Sequence, residues 1–387
     1  MNDMIDFDHA AGTPVHRAVY AEILPWLAGS YGNPSSIHTR GMAAKRALEN
    51  SREQVAALIN ASPKEIYFTS CGTESNNLAV KGIARAQKKK GNHIIVSAID
   101  HQSILKPAKT LERSGYEVSV VGTDKLGFVD PGEVASLIRE DTVLVSITHA
   151  SNEIGTIEPI REIAALVKEH GTVFHTDAVQ VAGVLPVDVE ELGVDMLTLA
   201  ANAFYGPPGA AALYIRDRVR IHPLLEGGVQ ERGRRSGTEN VPAVVGMGKA
   251  AELARAGMEK RIKTAAHLRD RLMAGLESSI PRLTINGDRT RRLPGNVHVS
   301  VEAVEGESMV FSLAGAGILA ASGSSCADKT LKSSHVLQAI GCHPALANAS
   351  VLFTPGYENT DEEVDRVLEV FPGIVERFRA MSPLWND

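Results

Sequence analysis

Four stretches of the chain hold side chains whose types and spacing suit chemistry. Thr69 to Thr73 reads as a strand end, a turn of small residues and then a helix start at Ser75. Such a junction turns backbone N–H groups and a hydroxyl toward an anion at the positive end of a helix. Asp177 closes a β-branched run, which puts a carboxylate at a strand end where it can meet a cationic group of a ligand. His101 follows the run His93–Ser97, a place open to a structural or a functional imidazole. Cys326 lies in Gly323-Ser324-Ser325-Cys326-Ala327-Asp328, a small polar stretch that favours an accessible, reactive thiol over an inert buried one.

These residues need elements to position them. Strand-like runs cover Ile66–Thr69, His93–Ser97, Glu117–Val121, Thr142–Thr148, Thr172–Asp177, Asp195–Leu199 and Ala211–Ile215. Helical patterns separate most of them, at Arg40–Asn60, Ser75–Gln87, Gln102–Ser114, Pro131–Arg139 and Pro159–His170. Alternation of this kind predicts an α/β fold, a mostly parallel seven-stranded sheet with helices on both faces. Ligands of such sheets sit beyond the carboxyl ends of the strands, which is where the candidate residues fall. A long helical pattern from about Pro242 to Ser278 leads to shorter strand-like pieces at Asn296–Val301 and Ile318–Ser322, then to a last helix at Asp361–Met381. The change near Lys260 predicts a large domain over 15–260 and a smaller α+β domain made of 1–14 and 261–387.

The chain has 387 residues, 44% of them hydrophobic and 22% charged, which is ordinary for a globular protein with a large core. Forty basic against 46 acidic side chains leave a net charge of −6, which argues against a nucleic-acid partner. No apolar run approaches the roughly 18 residues of a membrane span, and the N-terminus has no signal pattern. The three cysteines, Cys71, Cys326 and Cys342, are too scattered for a disulfide framework or a zinc site. A cytoplasmic protein with reduced thiols is the expectation.

Read in order, the motifs resemble those of the cysteine desulfurases, the branch of the class V aminotransferase fold that serves iron–sulfur cluster assembly. The resemblance rests on Asp8-His9-Ala10-Ala11-Gly12-Thr13-Pro14, Gly32-Asn33-Pro34-Ser35-Ser36-Ile37-His38, Phe68-Thr69-Ser70-Cys71-Gly72-Thr73-Glu74-Ser75-Asn76-Asn77, Asn152-Glu153-Ile154-Gly155, His175-Thr176-Asp177-Ala178-Val179-Gln180, Arg235-Ser236-Gly237-Thr238 and Ser322-Gly323-Ser324-Ser325-Cys326. It implies the fold of the enzymes that use pyridoxal phosphate. By the same resemblance Gly72 and Thr73 hold the phosphate, Asp177 the pyridine nitrogen and Gln180 the ring hydroxyl. His101 stacks on the ring and Asn152 lies near it. Thr238 reaches the phosphate of a neighbouring subunit, which implies a homodimer. Cys326 takes sulfur from the substrate and passes it to an iron–sulfur scaffold protein.

Two positions depart from the family pattern. The family lysine that forms the Schiff base falls at Ala203, within Ala200-Ala201-Asn202-Ala203-Phe204-Tyr205-Gly206-Pro207, and Asn202 and Ala200 replace a His and a Ser that touch phosphate. The family arginine for the substrate carboxylate falls at Tyr357, beside Glu358, which would repel a carboxylate. Schiff-base exchange and the proton shuttle both need the missing amine. The expected function is therefore sulfur transfer in iron–sulfur assembly without normal Schiff-base catalysis. Cys326 would serve as sulfur acceptor or as ligand of a transient iron–sulfur cluster on the scaffold protein. Two alternatives stand beside it: an active cysteine desulfurase with pyridoxal phosphate held non-covalently, and a repurposed pocket for another ligand or a metal held by Cys71, His101 and Cys326. Cys71, where the family usually has a small residue, reads first as a small buried hydrophobe and second as another sulfur-handling thiol or metal ligand.

Overall fold

A computed structural model describes residues 4–322 and 333–385. Cys326 lies outside the described residues. Seven strands form the central sheet in the order Ile66–Thr69, Ala211–Ile215, Met196–Ala200, Val173–Asp177, Thr142–Thr148, His93–Ser97, Glu117–Val121. The last five run parallel, while Ala211–Ile215 lies antiparallel to both of its neighbours. The sheet is thus mostly parallel, as the alternation predicts. Inner strands such as Thr142–Thr148 and Met196–Ala200 are buried throughout, because helices cover both faces. The outer strand Glu117–Val121 instead exposes Glu117 at its start, a charge that discourages further pairing at the free edge.

One apolar core lies on one face of this sheet, between Phe174, Leu197 and Tyr214 and the helices Thr39–Leu58 and Val241–Ser279. A second core on the opposite face joins the sheet to Gly72–Ala86 and Gln102–Glu112. A third, separate core gathers Phe7, Leu272, Leu276, Val299, Phe353 and Phe371. It packs the four-stranded antiparallel sheet Ala321–Ser322, Ser350–Phe353, Val297–Val301, Leu283–Ile285 against Asp361–Met381 and the far half of Val241–Ser279. That 39-residue helix passes residue 260 unbroken and contributes to the first and third cores.

Two sequence expectations are corrected in detail. The run Ile318–Ser322 is not one strand. Ile318–Leu319 pairs with Ile5–Asp6 in a two-stranded sheet, and Ala321–Ser322 turns into the four-stranded sheet. The helix after the small-residue turn begins at Gly72 rather than Ser75, with Cys71 as its N-cap.

Candidate functional site

Five parallel-running strand ends and the N-terminal segment meet around a cavity of ≈ 450 Å³, within the usual range of about 300–1,000 Å³ for small-molecule sites. Gly72, Thr73, His101, Asn152, Asp177 and Gln180 all line it. The sheet explains the convergence. Thr69, Thr148, Asp177 and Ala200 end four different strands, and each following turn opens onto the same crevice. Thr238 is not among the lining residues and is exposed.

The floor carries Asp177, which is buried. Its Oδ1 accepts from Val179 N at 3.0 Å and its Oδ2 from Asn76 Nδ2 at 2.6 Å. Burial pushes its pKa up, against the opposing pull of the Val179 and Asn76 hydrogen bonds and, last, of His101. No lysine or arginine lines the cavity to balance the carboxylate. A buried carboxylate without a cation either holds a proton or waits for a cationic ligand.

Asn76 extends the network. Its Nδ2 also donates to Ser103 Oγ at 2.8 Å, and Ser103 Oγ lies 2.7 Å from His101 Nδ1. Ser103 N donates to that same Nδ1 at 3.1 Å. The nitrogen therefore accepts, and in the neutral ring the hydrogen sits on Nε2. Asn76 and Ser103 are residues that sequence reasoning did not single out. The available signal was spacing: Asn76 follows Gly72 by four residues, one helical turn, so both face the cavity.

At the rim, Gly72, Thr73 and Glu74 precede the first backbone bond of the helix, Ser75 N to Cys71 O at 3.1 Å. Their N–H groups have no partner within the helix, which leaves an anion-binding terminus. A Cβ on Gly72 would stand 3.0 Å from Val179 Cγ2, so glycine lets the turn close onto the next strand loop. Glu74 is turned away from this terminus. Ser70 Oγ donates to it at 2.5 Å and Arg235 Nε at 2.8 Å, and despite burial these bonds draw its pKa down. The Glu74–Arg235 pair ties the Arg235-Ser236-Gly237-Thr238 loop to the same helix turn.

Cys71 is exposed and lines the cavity. The expectation of a small buried hydrophobe is thus corrected: as N-cap, its side chain stands outside the core that its helix covers. Among the described residues no group of three or more His, Cys, Asp or Glu could hold a metal ion.

Ala203 opens onto a second, smaller chamber of ≈ 90 Å³, which shares Ala10, Asn152 and Gln180 with the main cavity. Tyr357 also lines it, and no lysine does. The residues present therefore fit the ring and phosphate of pyridoxal phosphate: a helix terminus for the anion, a carboxylate needing a cation, and a histidine at the wall. They do not fit its covalent tether, because the described walls of both chambers lack an amine.

Behind the cavity, Asp100 is fully buried, accepts from Ser97 N at 2.7 Å and has its pKa pushed up to about 8 by burial. Glu153, next to Asn152, is pushed up to about 7 for the same reason. Ser334 Oγ donates to Glu153 Oε2, and His335 Nε2 lies 2.9 Å from Asp100 O. These contacts fix the chain just after residue 332 beside His101 and Asn152. No helix among the described residues is long and apolar enough to cross a membrane.

The sequence pattern of the aminotransferase class-V family matches residues 5–367. Cysteine desulfurase IscS of Methanosarcina thermophila is 49% identical over 383 residues, covering 99% of this chain and 95% of that protein. Cysteine desulfurase IscS of Dictyoglomus turgidum is 46% identical, covering 99% and 97%. Among solved structures, a NifS-like protein superimposes with a TM-score of 0.91 at 37% identity, over 97% of this chain and 100% of that one. The apo cysteine desulfurase of Thermococcus onnurineus NA1 gives 0.87 at 26% identity, over 97% and 96%. Pattern, full-length relatives and architecture agree, and the chain belongs to the class-V aminotransferase family, on its cysteine desulfurase branch.

Proposed function

We propose that this protein works in sulfur transfer for iron–sulfur cluster assembly without a Schiff base on its own chain. The observation that carries the reading is Ala203, which faces a chamber open to the ring-and-phosphate cradle where no lysine lines either wall. In this reading Gly72 and Thr73 hold the phosphate, Asp177 the pyridine nitrogen and Gln180 the ring hydroxyl, with His101 and Asn152 against the ring. Bound there, pyridoxal phosphate supplies an electron sink. The chain itself orients the ring, keeps Asp177 dry and presents the His101 imidazole with Nδ1 already engaged. Gln180 Nε2 also donates to Ala10 O at 3.1 Å, which fixes the N-terminal segment across the cavity.

Cys326 is the residue we assign to sulfur acceptance or to ligation of a transient cluster, with an iron–sulfur scaffold protein as partner. The support is positional. The chain returns at Ser334 and His335 onto Glu153 and Asp100, each one residue from a wall residue of the cavity.

A homodimer accords with the outer surface. The helix Arg17–Ala28 exposes Tyr20, Leu24 and Leu27 along one side, and Ile37 is 94% and Val229 86% exposed. A stripe of large apolar side chains left in water along one helix accords with an interaction surface. In a second copy, exposed Thr238 could then serve the neighbouring cavity. The separate apolar cores support the division into 15–260 and the smaller body of 1–14 with 261–387.

A specific observation keeps the second reading open. The cavity keeps Gly72, Thr73, His101, Asp177 and Gln180 together, although Ala200 and Asn202 stand where the family has phosphate-touching residues, so a non-covalently held cofactor remains able to act on cysteine. The test compares the protein with Cys326→Ala in scaffold pull-down and cluster transfer, alongside sulfide release from cysteine with added cofactor. The proposal expects scaffold binding by both, transfer lost in the variant, and no cysteine-dependent sulfide. Transfer indifferent to Cys326, or no scaffold binding, contradicts it.

A further inference from the structure

The chamber behind Ala203 has chemistry of its own. Its walls are largely apolar: Phe204, Ile262, Ala265 and Leu293, with the ring of Tyr357 at one side. No aspartate, glutamate or lysine lines it, and Arg261 is the one full charge. Arg261 comes from the long helix Val241–Ser279, an element that no motif had drawn attention to. Its Cζ stands 4.5 Å from the Tyr357 ring centroid and 5.4 Å from that of Tyr205. The two rings meet edge to face at 4.6 Å. Tyr205 is held at φ 67, and a Cβ on Gly356 would collide with its hydroxyl, so glycine there lets the box close.

The ring faces hold the cation and the Tyr357 hydroxyl takes a hydrogen bond from it, which leaves the rest of its N–H edge to be satisfied in the ring plane. Arg261 Nη1 is buried and has no hydrogen-bond partner, the one such side-chain atom among the residues lining this chamber. Several neighbouring polar groups are occupied within the protein. His9 Nδ1 bonds Thr354 O at 3.0 Å, Thr13 Oγ1 donates to Asn202 O at 2.9 Å, and Asn296 Nδ2 donates to Glu153 O at 2.9 Å. Glu358, the acid next along the chain, is exposed and accepts from Tyr357 Oη at 3.3 Å instead of facing the guanidinium. An unpaired donor on a charged group is costly to bury, which favours an anionic partner.

We propose that this chamber binds a small organic monocarboxylate, its carboxylate on Arg261 and its apolar part against Ala203 and the Tyr357 ring. The chamber is small, at ≈ 90 Å³, and adjoins the main cavity at Ala10, Asn152 and Gln180. A short acid suits its size. The guanidinium absent at position 357 is thus replaced from a different element, and Tyr357 becomes its platform. The proposal does not rest on sulfur transfer and involves no residue of the Cys326 stretch.

The experiment uses propionate as probe and propionamide as its uncharged match, with binding followed by ligand-observed NMR on the full chain. Propionate should bind and propionamide should bind about tenfold more weakly or worse. Arg261→Gln should weaken propionate by about tenfold or more. Ala203→Leu keeps the arginine but fills the chamber and should abolish binding. Circular dichroism confirms that each variant is folded, and if one is not, the other decides. Equal binding of acid and amide, full affinity in Arg261→Gln, or no propionate binding by the parent chain overturns the proposal.

Discussion

Asp100→Asn offers a quantitative test of how the cavity wall is built. Asp100 is fully buried, and burial raises its pKa to about 8, with the nearby Asp177 charge adding to the rise. A carboxyl whose folded pKa lies above its unfolded value of 3.8 holds its proton in the folded state after the unfolded chain has lost it. Its contribution is therefore complete at low pH and is lost as pH climbs from about 4 toward about 8. Each pH unit in that window costs about 1.4 kcal/mol, so the step from pH 5 to pH 8 would cost roughly 4 kcal/mol if no relaxation occurred. Asparagine keeps the size and the oxygen that accepts from Ser97 N, yet never ionises. The stability gap between Asp100→Asn and the parent should thus widen by roughly 2–4 kcal/mol between pH 5 and pH 8. Urea unfolding at four pH values measures it. A constant gap would show that Asp100 is not the desolvated acid the geometry makes it. Glu158, pushed up to about 8, and Glu153 titrate in the same window, so the variant should retain part of the slope.

Two further outcomes follow from particular contacts. Asp177→Asn removes the charge-assisted bond to a ring nitrogen, worth about 1.5–3 kcal/mol, and should weaken pyridoxal phosphate binding by roughly 10- to 150-fold in equilibrium dialysis. Unchanged affinity would remove Asp177 from the ring site. Glu231→Ala takes the buried partner from Arg52, whose Nη1 and Nη2 reach Glu231 at 2.8 and 2.7 Å with both side chains almost wholly buried, and leaves it only the more exposed Glu49 and the Ile66 carbonyl. Loss of one partner of such a pair should lower unfolding stability by about 3–5 kcal/mol, read in the same urea experiment.

Much of the architecture was legible because the central strands are continuous β-branched runs bounded by turn residues. All seven appear within a residue or two of their expected limits. The helix Arg17–Ala28 was not legible. It buries only Val19 and Ile23, and its exposed Tyr20, Leu24 and Leu27 blur the periodicity that marks a helix in a monomer. Gly306–Gly315 escaped because glycine stands at both ends and no side chain caps its start. In the site, six of the predicted residues share one cavity because the sheet topology, read from alternation, delivers strand ends to one edge. Asn76 offered only its four-residue spacing from Gly72, and Ser103 and Arg261 were not legible at all. Their roles depend on partners 101, 27 and 96 residues away in sequence (Asp177, Asn76 and Tyr357), and only packing creates those neighbours.

The central claim is that the ring-and-phosphate cradle persists while the covalent tether is absent. Borohydride treatment of the protein with added pyridoxal phosphate, followed by intact-mass measurement, tests it most directly, since reduction fixes any Schiff base permanently. The account predicts cofactor that dialyses away and a chain mass unchanged by reduction. One equivalent of pyridoxyl mass added to a defined lysine would contradict it.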